Sequence, residues 1–179
     1  KGDITKFDDC NSFLQTQESE VLVHMASLIH PKLWSKDFTK VNVRGTINLV
    51  QAAKKNRIKK IVYISSNSPI GCNSNDIMPF TENSPYNPYL GYGKSKMDAE
   101  KIIQDSGINF TILRAPWFYG PFQPNRQTLF FKLIASGKFP IVGSGDNLRS
   151  MVHTENLIQG ILLSIISEKS KNQVFWIAD

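Results

Sequence analysis

Ile61-Val62-Tyr63-Ile64 is apolar at four consecutive positions, the pattern of a strand covered on both faces rather than on one. Such a strand needs helices above and below it, and helical patterns flank it. From about Ser35 to Lys55, Phe38, Val41, Ile47, Leu49 and Val50 recur as a buried side. After Tyr92, Met97, Ala99, Ile102 and Ile103 form an apolar side against polar Asp98, Glu100, Lys101 and Gln104, with Gly107 as the closing C′ residue. Asp8 to Gln15, Arg126 to Ser136 and Asn156 to Ile166 also read as helices, the last with Thr154 as N-cap. Val21-Leu22-Val23, Phe110 to Leu113, Phe139 to Val142 and Val174 to Ala178 read as further strands, and 72–88 as a long loop. Strands alternating with helices predict an α/β fold built on a parallel sheet.

The start of the chain qualifies that picture. It opens with Lys-Gly-Asp, not Met, and no Gly-rich phosphate loop follows. The strand at 21–23 would then be an exposed sheet edge, open to mispairing. The expectation is a sheet whose N-terminal βαβ unit is missing, and a natural protein that is longer at this end.

At 179 residues, 41% of them hydrophobic, the chain has one domain's length and material for a core. No apolar run reaches the ~18 residues of a membrane span, and no signal-peptide pattern is present. Cys10 and Cys72 lack metal-ligand spacing and read as reduced thiols, so the expected location is cytoplasmic. Much of the +6 charge sits in the run from Lys54 to Lys60. A nucleic-acid site there competes with a solvated loop. The loop reading is preferred because no aromatic is interleaved, so no nucleic-acid or membrane partner is expected.

In parallel sheets ligands sit at the carboxyl ends of strands. Three polar or turn-like segments fall there: His24 to Ser27, Ser65 to Ser68 and Arg114 to Trp117. Between the last two lie Tyr92 and Lys96, one helical turn apart and on one helix face. A neighbouring ammonium favours a phenolate, so Lys96 is expected to lower the Tyr92 pKa and fit the phenol to carry a proton to or from a secondary alcohol.

The motifs, in order, resemble the extended short-chain dehydrogenase/reductases, the NAD-dependent epimerase/dehydratase family. Gly2-Asp3-Ile4 resembles the family's adenine-holding segment, and Val23-His24-Met25-Ala26 its turn beside the cofactor. Asn42-Val43-Arg44-Gly45-Thr46 resembles Asn-Val-x-Gly-Thr, Ile64-Ser65-Ser66 the strand-end serine, and Tyr92 to Lys96 Tyr-x-x-x-Lys. Leu113 to Pro116, Tyr119-Gly120-Pro121, Gly143 to Ser150 and His153 to Asn156 resemble the stretches around the substrate arm. Trp117 and Asn156 depart from the sugar-nucleotide pattern, in which Asn and Asp are common, and lean towards hydroxysteroid-dehydrogenase-like relatives.

The resemblance implies a Rossmann-like NAD(P)-binding domain over 1–120, a substrate-binding arm over 121–151, and a helix and strand over 152–179 returning to the sheet. It implies NAD or NADP as cofactor, a small-molecule substrate, and a homodimer formed through helices at about 36–55 and 92–106. Ser66, favoured over Ser65 by the Ser-x-x-x-x-Gly spacing to Gly71, would place the substrate oxygen. Tyr92 would shuttle the proton, and Lys96 would stabilise phenolate and hold the nicotinamide ribose. Asp3 would accept from the adenine amine with Ile4 against the ring, or stand as an ordinary solvated carboxylate. Met25, Ala26 and Ser27 would line the cofactor, or pack in the core. Asn42 would bond across to the cofactor-side loop, or cap locally. Pro116 would abut the nicotinamide. Trp117 would wall the substrate pocket or pack inside. Arg149 would contact a diphosphate or carboxylate, or lie on the surface. The implied reaction is hydride transfer at a secondary alcohol or ketone, on a nucleotide sugar or a 3β-hydroxysteroid. The alternative is a dinucleotide-binding module without turnover.

Overall fold

The structure is a computed structural model that describes residues 2–30, 36–71, 79–146 and 148–179. Cys72, Ser35, Asn147 and the first part of the 72–88 segment lie outside the described residues. In chain order the elements are α1 (Phe7–Gln15), β1 (Val21–His24), α2 (Lys36–Phe38), a π-helical stretch (Thr39–Arg44), α3 (Gly45–Lys55), β2 (Lys60–Ser66), α4 (Leu90–Gln104), β3 (Asn109–Ala115), β4 (Trp117–Tyr119), α5 (Asn125–Ala135), β5 (Met151–His153), α6 (Thr154–Ile166) and β6 (Gln173–Trp176).

The main sheet is parallel throughout, in the order β1-β2-β3-β6. β2 and β3 occupy the middle, as the apolar run at 61–64 requires, and β1 forms one edge. Alternation along β2 and β3 separates the two faces. Ile61, Tyr63 and Ile112 join Leu49, Ala99 and Ile103 in the main core, so α3 and α4 cover that face. On the opposite face the side chains of Lys60 and Thr111 reach Ser170, just beyond α6. Helices therefore cover both faces, and the architecture is Rossmann-like.

Several local readings need correction. Phe139 to Val142 is not a strand; it runs as exposed chain, interrupted by Pro140, which has no N–H to give a ladder. Two strands escaped notice, β4 and β5, which form a small parallel pair joining Trp117 to Met151 and Tyr119 to His153. The N-cap of α6 is His153, whose ring nitrogen accepts from the Glu155 N–H, and Thr154 is the first helical residue. Helix α4 ends at Gln104 with Asp105 as C-cap, so the left-handed Gly107 comes two residues beyond the cap. Glu100, placed on the polar side of its helix by the sequence, has no exposure at all. No described helix is long and apolar enough to cross a membrane.

Candidate active site at the carboxyl end of the sheet

Helix α4 reaches the end of β2 because Gly93 lets it. A Cβ at Gly93 would stand 2.5 Å from the Ser68 carbonyl oxygen, closer than any side chain tolerates. The Tyr89 N–H, at the N-cap, bonds the same oxygen at 3.0 Å. Gly71 has a similar duty in the loop beyond β2: its φ is +87°, and a Cβ would meet the Asn87 oxygen at 2.0 Å. With the helix seated, Tyr92, Lys96 and Glu100 recur every four residues on the side facing the sheet.

Lys96 is buried. Its Nζ donates to the Ile64 carbonyl at 2.7 Å and stands 4.1 Å above the centre of the Tyr63 ring. Burial draws its pKa down to about 7, opposed by the charge of Glu100. Beside Tyr63 on the next strand lies His24, also buried, with Nε2 3.0 Å from the Thr46 hydroxyl. Burial and then the nearby Lys96 charge pull its pKa down to about 3, so His24 is neutral near pH 7.

Tyr92 departs from the electrostatic expectation. Its phenol is pushed above the usual tyrosine value by burial, while hydrogen bonding towards Ser66 and Ser27 pulls the other way. Lys96 does not lower it. The ammonium is directed at the Ile64 carbonyl and the Tyr63 ring, and desolvation of the phenol outweighs what remains.

The two serines of β2 part company. Ser65 Oγ donates to Glu100 Oε1 inside the protein. Ser66 Oγ accepts from the Ser68 N–H at 3.2 Å and faces the Tyr92 phenol. Asn42, in the π-helical stretch, uses its whole amide. Oδ1 accepts from Leu28 N at 2.7 Å and Ser27 Oγ at 3.2 Å; Nδ2 donates to Leu28 O at 3.0 Å and Ser95 Oγ at 2.9 Å. Asn42 thus fastens the Ser27–Leu28 turn to α4, and its amide is occupied by protein partners.

Asp3, Ile4, Met25 and Ala26 gather elsewhere, around a cavity of about 330 Å³ beside β1 that Val23 and His24 also line. Asp3 Oδ1 receives both the N–H and the hydroxyl of Thr5, which hold its carboxyl below the usual aspartate value. Met25 is 60% exposed there. Pro116 is buried between β3 and β4. Trp117 and Arg149 meet: the guanidinium lies 4.4 Å from the indole, whose other neighbours are Phe130 at 4.7 Å and Phe131 at 6.1 Å.

The residues that sequence reasoning missed form the buried network behind the hydroxyls. Glu100 Oε2 accepts from Arg114 Nη2 at 2.9 Å and from the Tyr86 hydroxyl at 2.8 Å; Arg114 Nη1 donates to the Glu82 carbonyl at 3.1 Å. A signal was present. Glu100 lies two turns from Tyr92 and one from Lys96, on the same helix face, next to apolar Ala99 and Ile103.

Comparisons with known proteins give the family of the chain. A family described as "NAD dependent epimerase/dehydratase family" matches residues 1–178. The chain is 49% identical over 183 residues to "Uncharacterized protein y4nL" of Sinorhizobium fredii, covering 99% of this chain and 51% of that one. It is 30% identical over 195 residues to a UDP-glucose 4-epimerase of Vibrio cholerae, covering 99% and 57%. Among solved structures, a double mutant of DesIV, a dTDP-glucose 4,6-dehydratase from Streptomyces venezuelae with NAD and DAU bound, superposes with a TM-score of 0.83 at 28% identity, covering 98% and 56%. The chain spans about half the length of the curated relatives it matches. By its sequence, its parallel sheet and its likeness to these proteins, the chain belongs to the NAD-dependent epimerase/dehydratase family.

Proposed function

We propose that the protein is an NAD(P)-dependent oxidoreductase or epimerase that transfers hydride at a secondary alcohol or ketone carbon of a nucleotide sugar. The observation that carries this reading is the meeting of Tyr92, Ser66 and Ser27 at the carboxyl end of a parallel sheet, with Lys96 buried behind them. The cavity beside β1 suits the cofactor's adenine side: Ile4 and Met25 offer apolar surface and Asp3 a carboxylate acceptor at its wall. With the cofactor bound, its nicotinamide would supply the hydride chemistry.

The chain's own groups then divide the work. Ser66 orients the substrate oxygen. Tyr92, whose phenol stays protonated near neutrality, gives a proton from its hydroxyl to a carbonyl oxygen, or takes one back from an alcohol. Lys96, with a pKa near neutrality, supplies the positive charge that makes the second direction accessible. Arg149, laid on Trp117, offers a fork for a diphosphate. The relatives named as a UDP-glucose epimerase and a dTDP-glucose dehydratase favour the sugar. The aromatic wall of Trp117, Phe130 and Phe131 favours a second reading, oxidation of an apolar 3β-hydroxysteroid-like alcohol.

A panel of UDP-, GDP- and dTDP-sugars and hydroxysteroids, followed at the reduced-nicotinamide absorbance band, tests the proposal. Turnover of a nucleotide sugar is the expected result. Turnover confined to hydroxysteroids selects the second reading. Binding of nicotinamide cofactor without turnover of any compound selects a non-catalytic dinucleotide module. The protein is further proposed to pair with a second copy through the helices at 36–55 and 92–106; light scattering that shows a monomer at micromolar concentration contradicts this.

A further inference from the structure

The proposed reaction uses Ser66, Tyr92 and Lys96, yet the most completely buried charged group near them is Glu100, which reaches neither solvent nor the cavity. Its contacts explain its place. Oε1 accepts from the Ser65 hydroxyl and, at 3.3 Å, from Arg114 Nε; Oε2 accepts from Arg114 Nη2 and the Tyr86 hydroxyl. These partners come from β2, β3 and the segment before α4. Ser65 sits between two residues of the site: Ile64, whose carbonyl takes the Lys96 ammonium, and Ser66, which faces Tyr92. One carboxylate on α4 thereby holds the backbone on which the other groups depend.

We propose that Glu100 is a positioning residue: through Ser65, and braced by Arg114, it fixes the Ile64–Ser66 strand end against α4, so that the Lys96 ammonium and the Ser66 and Tyr92 hydroxyls keep their places. The geometry distinguishes this from a generic buried ion pair. Such a pair needs only Glu100 and Arg114. Here the carboxylate also takes a hydroxyl from the strand end itself, one residue from Ser66 and one from the Ile64 carbonyl that takes the Lys96 ammonium. The brace extends outward as well, since Arg114 holds the Glu82 carbonyl and the Glu82 carboxylate accepts from the Trp176 N–H of β6 at 3.2 Å. A negative charge one turn from Lys96 also favours its ammonium form.

The inference rests on the reading of Lys96 as part of the site, but its test does not require turnover. Isotope-labelled lysine side chains are followed by NMR through a pH titration of the full chain, the Lys96 signal being assigned by its loss in Lys96→Met. Among the described residues, the titratable groups that face Lys96 from the elements packed about it are Glu100 and Tyr92 on its own helix, Tyr63 on β2 and His24 on β1. Of these four groups, only Glu100 is substituted in the series. Glu100→Gln is expected to lower the Lys96 midpoint by about 0.5–1 unit. Ser65→Ala keeps the ion pair and removes only the strand-end link. It is expected to lower the midpoint by a smaller amount, because the Ile64 carbonyl no longer stays under the ammonium, and Ser65→Thr is expected to restore it. A Lys96 midpoint at the wild-type value in Ser65→Ala overturns the proposal, whether or not Glu100→Gln folds. Full turnover in Tyr92→Phe would instead overturn the proposed function and leave this measurement standing.

Discussion

The sheet half of the molecule buries its polar groups, whereas the segment over 121–150 exposes its apolar ones. Lys96 is 1% exposed and Glu100 0%, while Phe122, Ile141 and Leu148 are 105%, 81% and 99% exposed. The connections differ in kind as well. Around α4, hydrogen bonds link residues far apart in sequence, such as Asn42 to Ser95 and Lys96 to Ile64. In the segment over 121–150 rings meet rings, Phe130 with Phe139 and, across to β4, Phe130 and Phe131 with Trp117, beside a long-range hydrogen bond from Arg126 to His30. Burial and long-range hydrogen bonds concentrate around the groups assigned to proton movement, and the segment over 121–150 has less of both.

Mutations sharpen or break this contrast. The largest effect is expected from Arg114→Ala, which leaves Glu100 buried without its cation. Its cost is about 3–5 kcal/mol in urea unfolding, and a loss below about 1 kcal/mol would mean that the pair behaves as a surface bridge. Ile103→Ala, between α4 and the sheet with no exposure, is expected to cost about 2–5 kcal/mol by emptying packed volume. The third effect depends on pH. His24 has a folded pKa of about 3 against an ordinary 6.5. Between those values the unfolded chain binds a proton that the folded chain refuses. Stability is therefore fully present above about pH 6.5 and falls as the pH drops towards 3, by up to about 1.4 kcal/mol per unit. His24→Asn keeps a partner for Thr46 and is expected to flatten that limb in melts compared across the window. An unchanged limb would assign the acid sensitivity to other groups. The smallest effect belongs to the segment over 121–150: Phe122→Ser is expected to move stability by no more than about 0.5 kcal/mol. A larger loss would show that this segment is held as firmly as the sheet.

The same contrast governs what the sequence disclosed. β2 was legible because two-sided burial writes itself as an unbroken apolar run, and α4 because its 3.6-residue period is strong. β4 and β5 were not. Each has three residues, and their pairing partner lies more than thirty positions away. Phe139 to Val142 carried the composition of a strand but is interrupted by Pro140, which has no N–H to give a ladder. Tyr92 and Lys96 were found by spacing, but their electrostatics were misread, since spacing shows a neighbouring charge and not how deeply a phenol is buried. Glu100 was misread for a related reason: a glutamate is ordinarily exposed, and its cation arrives from the following strand at Arg114. The π-helical turn that carries Asn42 left no mark in the residue pattern, although Asn42 itself stood out through its motif.

The central claim is that Tyr92 carries the proton in a hydride-transfer reaction. Tyr92→Phe keeps the ring against Phe38 and removes only the hydroxyl. On the best nucleotide sugar of the panel, with cofactor binding followed in parallel by nicotinamide fluorescence, the account predicts a fall in turnover of about 10²–10⁴-fold and unchanged cofactor affinity. Turnover at the wild-type rate in Tyr92→Phe would contradict it.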